Sequence, residues 1–276
     1  MANITYGSLE GGFFNKMIDY LIDKLEQEIH TDELVDSWSL MKTPWPILFI
    51  LAIYLLFILK IGPKIMEKRK PLNLKYIMMA YNLMQMIYNF IFVTNIFQPE
   101  LFNAMISTLC RESSIDFHIR LRYYSFCWYF MFSKVLDLID TVFFVLRKKQ
   151  SHVSFLHVYH HVNMVISIWL FCKFFRTSCG AFVGLMNAFV HAIMYSYYFL
   201  SAFGPIMQKY LWWKKYLTRL QIVQFIIGLT YGFSLFIFDC EFPRLFTIYM
   251  IVDVSLFLYL FLVFYKKTYS NESKLK

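Results

Sequence analysis

The stretch GAFVGLMNAFVHAIMYSYYFLSAF, Gly180–Phe203, decides the fold. It contains no residue with a full charge at neutral pH and is long enough for the ~20 mostly apolar residues that a spanning helix needs. Its polar side chains are not scattered. Asn187, His191, Tyr195 and Tyr198 stand at i, i+4, i+8 and i+11, which places them on one helical face. An apolar rod with a single polar stripe reads as a membrane-spanning helix whose stripe is turned inward.

Working outward from it, the same criterion predicts seven spanning segments: Trp45–Leu59, Tyr76–Phe97, Tyr123–Leu146, Val153–Phe171, Gly180–Phe203, Tyr216–Phe238 and Leu245–Tyr265. The composition agrees. Of 276 residues, 59% are hydrophobic and only 16% charged, whereas soluble domains carry about 25% charged residues. The chain therefore reads as an all-α membrane protein with seven transmembrane helices. Residues 1–42 form a polar N-terminal segment, 43–267 the seven-helix domain and 268–276 a tail. The segment Met1–Asp36 lacks a basic region followed by an apolar one, so no cleaved signal is expected.

The net charge of +9 has an ordinary explanation in such a chain. Basic clusters follow the first helix (Lys60, Lys64, Lys68, Arg69, Lys70), the third (Arg147, Lys148, Lys149), the fifth (Lys209, Lys214, Lys215) and the seventh (Lys266, Lys267). Alternating helices put all four on one side, which the positive-inside rule makes cytosolic. No nucleic-acid face is implied. The N-terminus then faces the lumen and the C-terminus the cytosol, so Asn3 is the expected glycosylation site of the two sequons. Cys110 and Cys240 fall in lumenal loops, where disulfides persist, and are expected to pair.

The polar stripes extend beyond the fifth helix. Lys134, Asp137, Asp140 and Thr141 share a face of the third; His157, His160 and His161 share a face of the fourth. Thr218, Gln221 and Gln224 follow spacing three on the sixth. Four helices thus bring polar side chains to one layer in the cytosolic half of the membrane. Ionisable groups at that depth are expensive and mark function. Two chemistries suit four intramembrane histidines. One is an open iron site shared with Asp137 or Asp140, although the four are too few for a membrane di-iron site. The other is covalent or general-base catalysis by imidazole, which needs neither metal nor cofactor. A receptor or transporter using the layer as a ligand or proton path is the non-enzymatic alternative.

The motifs resemble those of the very-long-chain fatty acid elongase family. They occur in the family's order from Leu72 to Lys267: Lys134-Val-Leu-Asp137-Leu-Ile-Asp140-Thr141, His157-Val-Tyr-His160-His161, Asn187-Ala-Phe-Val-His191-Ala-Ile-Met-Tyr195-Ser-Tyr197-Tyr198, and Gln221-Ile-Val-Gln224-Phe225. Asp137 departs from the family's usual glutamate, keeping the charge one methylene shorter. The resemblance implies an acyltransferase, a 3-oxoacyl-CoA synthase, that condenses a long-chain acyl-CoA with malonyl-CoA to give 3-oxoacyl-CoA, CoA and CO2. It implies an endoplasmic reticulum membrane location and six helices, in two inverted three-helix units, forming a barrel-like bundle around an acyl tunnel.

The cysteines lie away from the histidine layer, which leaves a histidine as acyl acceptor; spacing does not choose among the three on the fourth helix, and the resemblance favours His160, with His191 assisting the malonyl step. His157 and His161 would orient and hydrogen-bond, and Asp140 would hold a histidine in its needed tautomer. Lys134, Asp137, Asn187, Tyr195, Tyr198, Gln221 and Gln224 would line the substrate site, and Lys148, Lys149, Lys214 and Lys215 would meet the phosphates of CoA. The implied partners are both substrates, membrane lipid, the reductases and dehydratase of the elongation cycle, and a second copy of the chain.

Overall fold

The computed structural model describes residues 7–29, 32–107, 115–175, 177 and 179–269. Asn3 and Cys110 lie outside them. The described residues are helical throughout, without a strand. The chain opens with α1 (Gly7–Glu28) and the short α2 (Glu33–Asp36), where a side-chain oxygen of Asp32 caps Leu34 and Val35. The first long span is α3 (Trp45–Leu56), which passes through a π turn (Phe57–Ile61) into α4 (Gly62–Glu67). Then come α5 (Lys75–Ile96), α6 (Pro99–Ser107) and α7 (Phe117–Leu146). The histidine-bearing α8 (Phe155–Leu170) ends in a second π turn, Phe171–Phe175. After it follow α9 (Cys179–Ser201), α10 (Pro205–Gln208), α11 (Lys214–Ile237) and α12 (Arg244–Tyr269).

Local chemistry explains the breaks. Pro63 has no N–H to continue the α ladder, and the Gly62 N–H reaches back five residues to the Phe57 carbonyl, which is the π pattern. Gly62 also lets α4 approach α7 closely, because a Cβ there would lie 2.7 Å from Val145. Ser154 caps α8 through the His157 N–H just ahead of the histidines. Gly204, at φ 89°, ends α9 in a conformation open to glycine, and Pro205 starts the next turn.

Six helices are long and apolar enough to cross a membrane: Trp45–Glu67, Lys75–Ile96, Phe155–Phe175, Cys179–Ser201, Lys214–Ile237 and Arg244–Tyr269. The first extends past the expected Leu59 because the π turn carries the helix through Pro63. The expected third span lies within α7, a helix of 30 residues. Its charged side chains, Lys134, Asp137 and Asp140 among them, keep it from matching the other six in apolar character. Large apolar side chains face outward along these helices, with Trp45, Ile237 and Phe238 about three-quarters exposed. A soluble surface avoids apolar patches on that scale, whereas lipid accommodates them.

Opposite ends of the bundle are tied differently. At the basic end, Lys148 Nζ donates to the carbonyls of Glu67 and Arg69, both at 3.1 Å. Arg219 there donates to the Tyr265 hydroxyl at 2.7 Å. At the other end the 32–42 segment folds onto α7 and α8. Val35 and Met41 are fully buried, and Trp128 and Trp169 donate to the carbonyls of Ser39 and Leu40. Lys173 pairs with Asp36. Glu28 caps the start of α12 by accepting from the backbone of Arg244 and Leu245. Cys127 and Cys172 form a disulfide between α7 and the second π turn, a bond absent from the sequence reading. Cys240 is disulfide-bonded as well, and its expected partner is Cys110.

Candidate active site

The centre of the bundle is built on the α7 stripe. Lys134, Asp137 and Thr141 are each 2% exposed or less. Lys134 Nζ donates to Asp137 Oδ2 at 3.1 Å and to Asn187 Oδ1 at 2.9 Å, and lies 4.8 Å from the centroid of the Phe130 ring. It also lies 3.4 Å from His191 Nδ1. An ammonium group has no lone pair to give, so His191 Nδ1 accepts there and carries its proton on Nε2. Asp137 is held by side chains from two other helices, α5 and α9: Gln85 Nε2 donates to its Oδ1 at 2.6 Å and the Tyr195 hydroxyl at 2.9 Å, while His191 stands 3.6 Å from its Oδ2. The same Tyr195 hydroxyl stands 2.7 Å from Asp140. One hydroxyl proton thus lies between two carboxylates and serves one of them at a time.

The α8 histidines occupy three different settings. His157 Nε2 bonds Thr141 Oγ1 at 2.9 Å, and Thr141 in turn bonds the Tyr54 hydroxyl at 2.9 Å. His161 is buried between its neighbours, with ring centroids 4.3 Å from His157 and 5.5 Å from His160. His160 faces away from this network and packs on Phe257, 5.2 Å between centroids.

What His160 faces is a cavity. It lies among α5, α7, α8, α9, α11 and α12, with an empty volume of about 1320 Å³ including its open mouth. Phe92, Phe130, Met164, Phe182 and Val254 give it an apolar wall. His160 is the one histidine among the lining residues described, and Asn187 and Gln224 line the cavity too. From His160 the space runs along α8 to Phe171, about 16 Å at 1.5 Å per residue. Phe171 and Phe246 form an aromatic layer there with Phe175 and Phe242. Gly180 makes room for it, since a Cβ would sit 2.1 Å from the Phe171 ring.

The remaining candidates are spread out. Asp140 bonds Tyr195, and the side chain that hydrogen-bonds the His157 ring is Thr141, so the expected carboxylate-to-imidazole bond from Asp140 is absent among the described hydrogen bonds. Tyr198 packs edge-on to Tyr195. Gln221 is half-buried and contacts Met194. Lys149, Lys214 and Lys215 are exposed at the basic end, while Lys148 is engaged with backbone carbonyls. Among the described residues no group of three His, Cys, Asp or Glu side chains is arranged to hold a metal ion.

Comparison with known proteins bears directly on this arrangement of stripes around an apolar cavity. A family model, described as ELO, the GNS1/SUR4 family, matches residues 39–276. The chain belongs to the ELO family. The match begins well before Leu72 and so takes in the first span and Tyr54. Relatives in the ELO family include very long chain fatty acid elongase 4 of Macaca mulatta, 41% identical over 246 residues, which are 89% of this chain and 78% of the relative. The mouse protein of the same name is 41% identical over 244 residues, 88% of this chain and 77% of its own length. Very long chain fatty acid elongase 7 of Rattus norvegicus is 40% identical over 247 residues, 88% of each chain. This ELO-family chain is a multi-span membrane protein.

Tyr54, Tyr81 and Gln85 belong to the site although the sequence reading passed over them. On α5, Tyr81, Gln85 and Asn89 stand four apart, and Gln85 and Asn89 are buried. That uncharged stripe was the available signal.

Proposed function

We propose that the chain is a 3-oxoacyl-CoA synthase that elongates fatty acyl chains at the endoplasmic reticulum membrane. The observation that carries the reading is the position of His160, where an imidazole on the polar network's edge opens into a long apolar cavity. The names of the relatives support the same activity.

In this mechanism a nitrogen of His160 attacks the acyl-CoA carbonyl. The C–S bond breaks, an acyl-imidazole forms, and the imidazole proton leaves with CoA thiol. The acyl chain lies in the cavity, shielded from water. Malonyl-CoA then loses its carboxylate as CO2, and its C2 carbanion attacks the acyl carbonyl. A C–C bond forms, the C–N bond breaks, and the released imidazole of His160 takes up one proton from water. His191 is positioned by Lys134 so that its Nε2–H can donate to the thioester oxygen of the malonyl unit, where negative charge builds during decarboxylation. Lys134 itself, with Asp137 and Asn187, holds that geometry. Exposed Lys149, Lys214 and Lys215 meet the phosphates of CoA at the basic, cytosolic end. Disulfides at the other end, Cys127–Cys172 among them, support a lumenal placement for it. The product passes to the reductases and dehydratase that complete each round.

The test is acyl-CoA alone. Free CoA is expected in a burst stoichiometric with enzyme, with the acyl mass on the peptide containing His160, and His160→Ala abolishes the burst while retaining the fold. If CoA appears only after malonyl-CoA is added, the covalent step is wrong.

A further inference from the structure

One carboxylate in the cavity wall takes no part in this chemistry. Asp253 sits within α12, lines the cavity and is half-buried. Its Oδ1 accepts from the Tyr159 hydroxyl at 3.0 Å and its Oδ2 from Asn163 Nδ2 at 2.9 Å. The Tyr249 hydroxyl donates to Asn163 Oδ1 at 3.1 Å, which leaves Ser167 to donate to Tyr249. Among the described residues no cation forms an ion pair with Asp253.

The direction of these bonds matters. The hydroxyl protons of Ser167, Tyr249 and Tyr159 are all committed within the network, and the chain from Ser167 ends on Asp253. A carboxylate has about four lone-pair sites, and two are filled here. Against the cavity the network therefore offers acceptor capacity. A bare methylene chain passing it would strip water from those lone pairs and return nothing, which is costly in an apolar wall. A ligand that brings a hydrogen-bond donor reverses the sign. A site built to bind a hydroxyl discriminates strongly against the analogue that lacks one.

Depth fixes where that donor belongs. Phe257 packs on His160, and Asp253 stands four residues away on the same helix, toward Phe246. That is about 6 Å farther into the cavity. We propose that Asp253 is a specificity-determining residue that binds a hydroxyl group on the acyl chain. At about 1.3 Å of advance per ~1.5 Å carbon–carbon bond, the hydroxyl falls at roughly the fourth to seventh carbon. The proposal rests on the reading that the cavity holds the acyl chain with its carbonyl at His160.

The experiment measures binding, so that it does not depend on turnover. Acyl-CoA thioesters of one length, with a single hydroxyl moved carbon by carbon, compete against a fluorescent acyl-CoA on the full detergent-purified chain. The expected profile peaks in the stated window, with Kd about tenfold or more below that of the unsubstituted thioester. Asp253→Leu is expected to flatten the peak and to bind the unsubstituted chain at least as well as wild type. A flat wild-type profile overturns the proposal whether or not the variant folds, because the spare lone pairs then serve only water. A peak that survives Asp253→Leu overturns it too. Release of CO2 from labelled malonyl-CoA with the unsubstituted thioester is followed in parallel. A peaked binding profile without any CO2 sinks the elongation reading and leaves the Asp253 subsite standing.

Discussion

Lys134 is held on several sides, since its ammonium meets Asp137, Asn187 and His191 at once with 1% of its surface exposed. Removing one partner of a buried pair leaves an uncompensated charge and costs ~3–5 kcal/mol. Lys134→Ala is therefore expected to lower the melting temperature in detergent as well as the activity. Adding Asp137→Asn should recover much of the stability, because asparagine still accepts from Gln85 and Tyr195 without carrying the stranded charge. Recovery of stability without recovery of activity would separate holding the site together from orienting His191. A Lys134→Ala protein that melts like wild type would contradict the ion pair. Asp137 accepts from Gln85 and Tyr195, which come to it from α5 and α9.

The helices show which features could be read from the chain. Spacing within one helix was legible: the α7, α8 and α9 stripes each lie on one face, with α7 meeting α9 at Lys134, Asn187 and His191 and meeting α8 at Thr141 and His157. Contacts between helices were not. Tyr54 reaches Thr141 from the first span, and Asp253 is a single carboxylate whose partners Tyr159 and Asn163 sit on another helix. Cys127 and Cys172 show the same limit. Cys127 stands seven residues before Lys134, on the same helical face, and Cys172 eleven after His161, yet only the packing of α7 on the second π turn joins them. That turn is pinned by the disulfide and by the neighbouring Lys173–Asp36 pair. Cys172→Ser is expected to destabilise the protein by about 2–4 kcal/mol. The check is thermal melting of the variant beside wild type with and without reductant. Equal melting of oxidised wild type and variant would show that the bond does not hold this end.

At the scale of the whole molecule, the exposed apolar belt, the basic end and the disulfide-bearing end give the bundle one axis. Along that axis the cavity runs from His160 to an aromatic layer at Phe171 and Phe246, while the charged network stands beside its polar end. The arrangement separates two needs. In the proposed mechanism the acyl carbons lie along the largely apolar wall, and the anionic chemistry of the malonyl unit stays near Lys134, Asn187 and His191. The proposed reaction joins these two substrates. Purified protein should therefore be given an acyl-CoA together with malonyl-CoA labelled in its free carboxyl. The proposed condensation gives labelled CO2 and a 3-oxoacyl-CoA two carbons longer than the acyl-CoA supplied, in one-to-one ratio, with both lost in His160→Ala. Labelled CO2 without the longer product, or no CO2 from a folded wild-type protein, would contradict it.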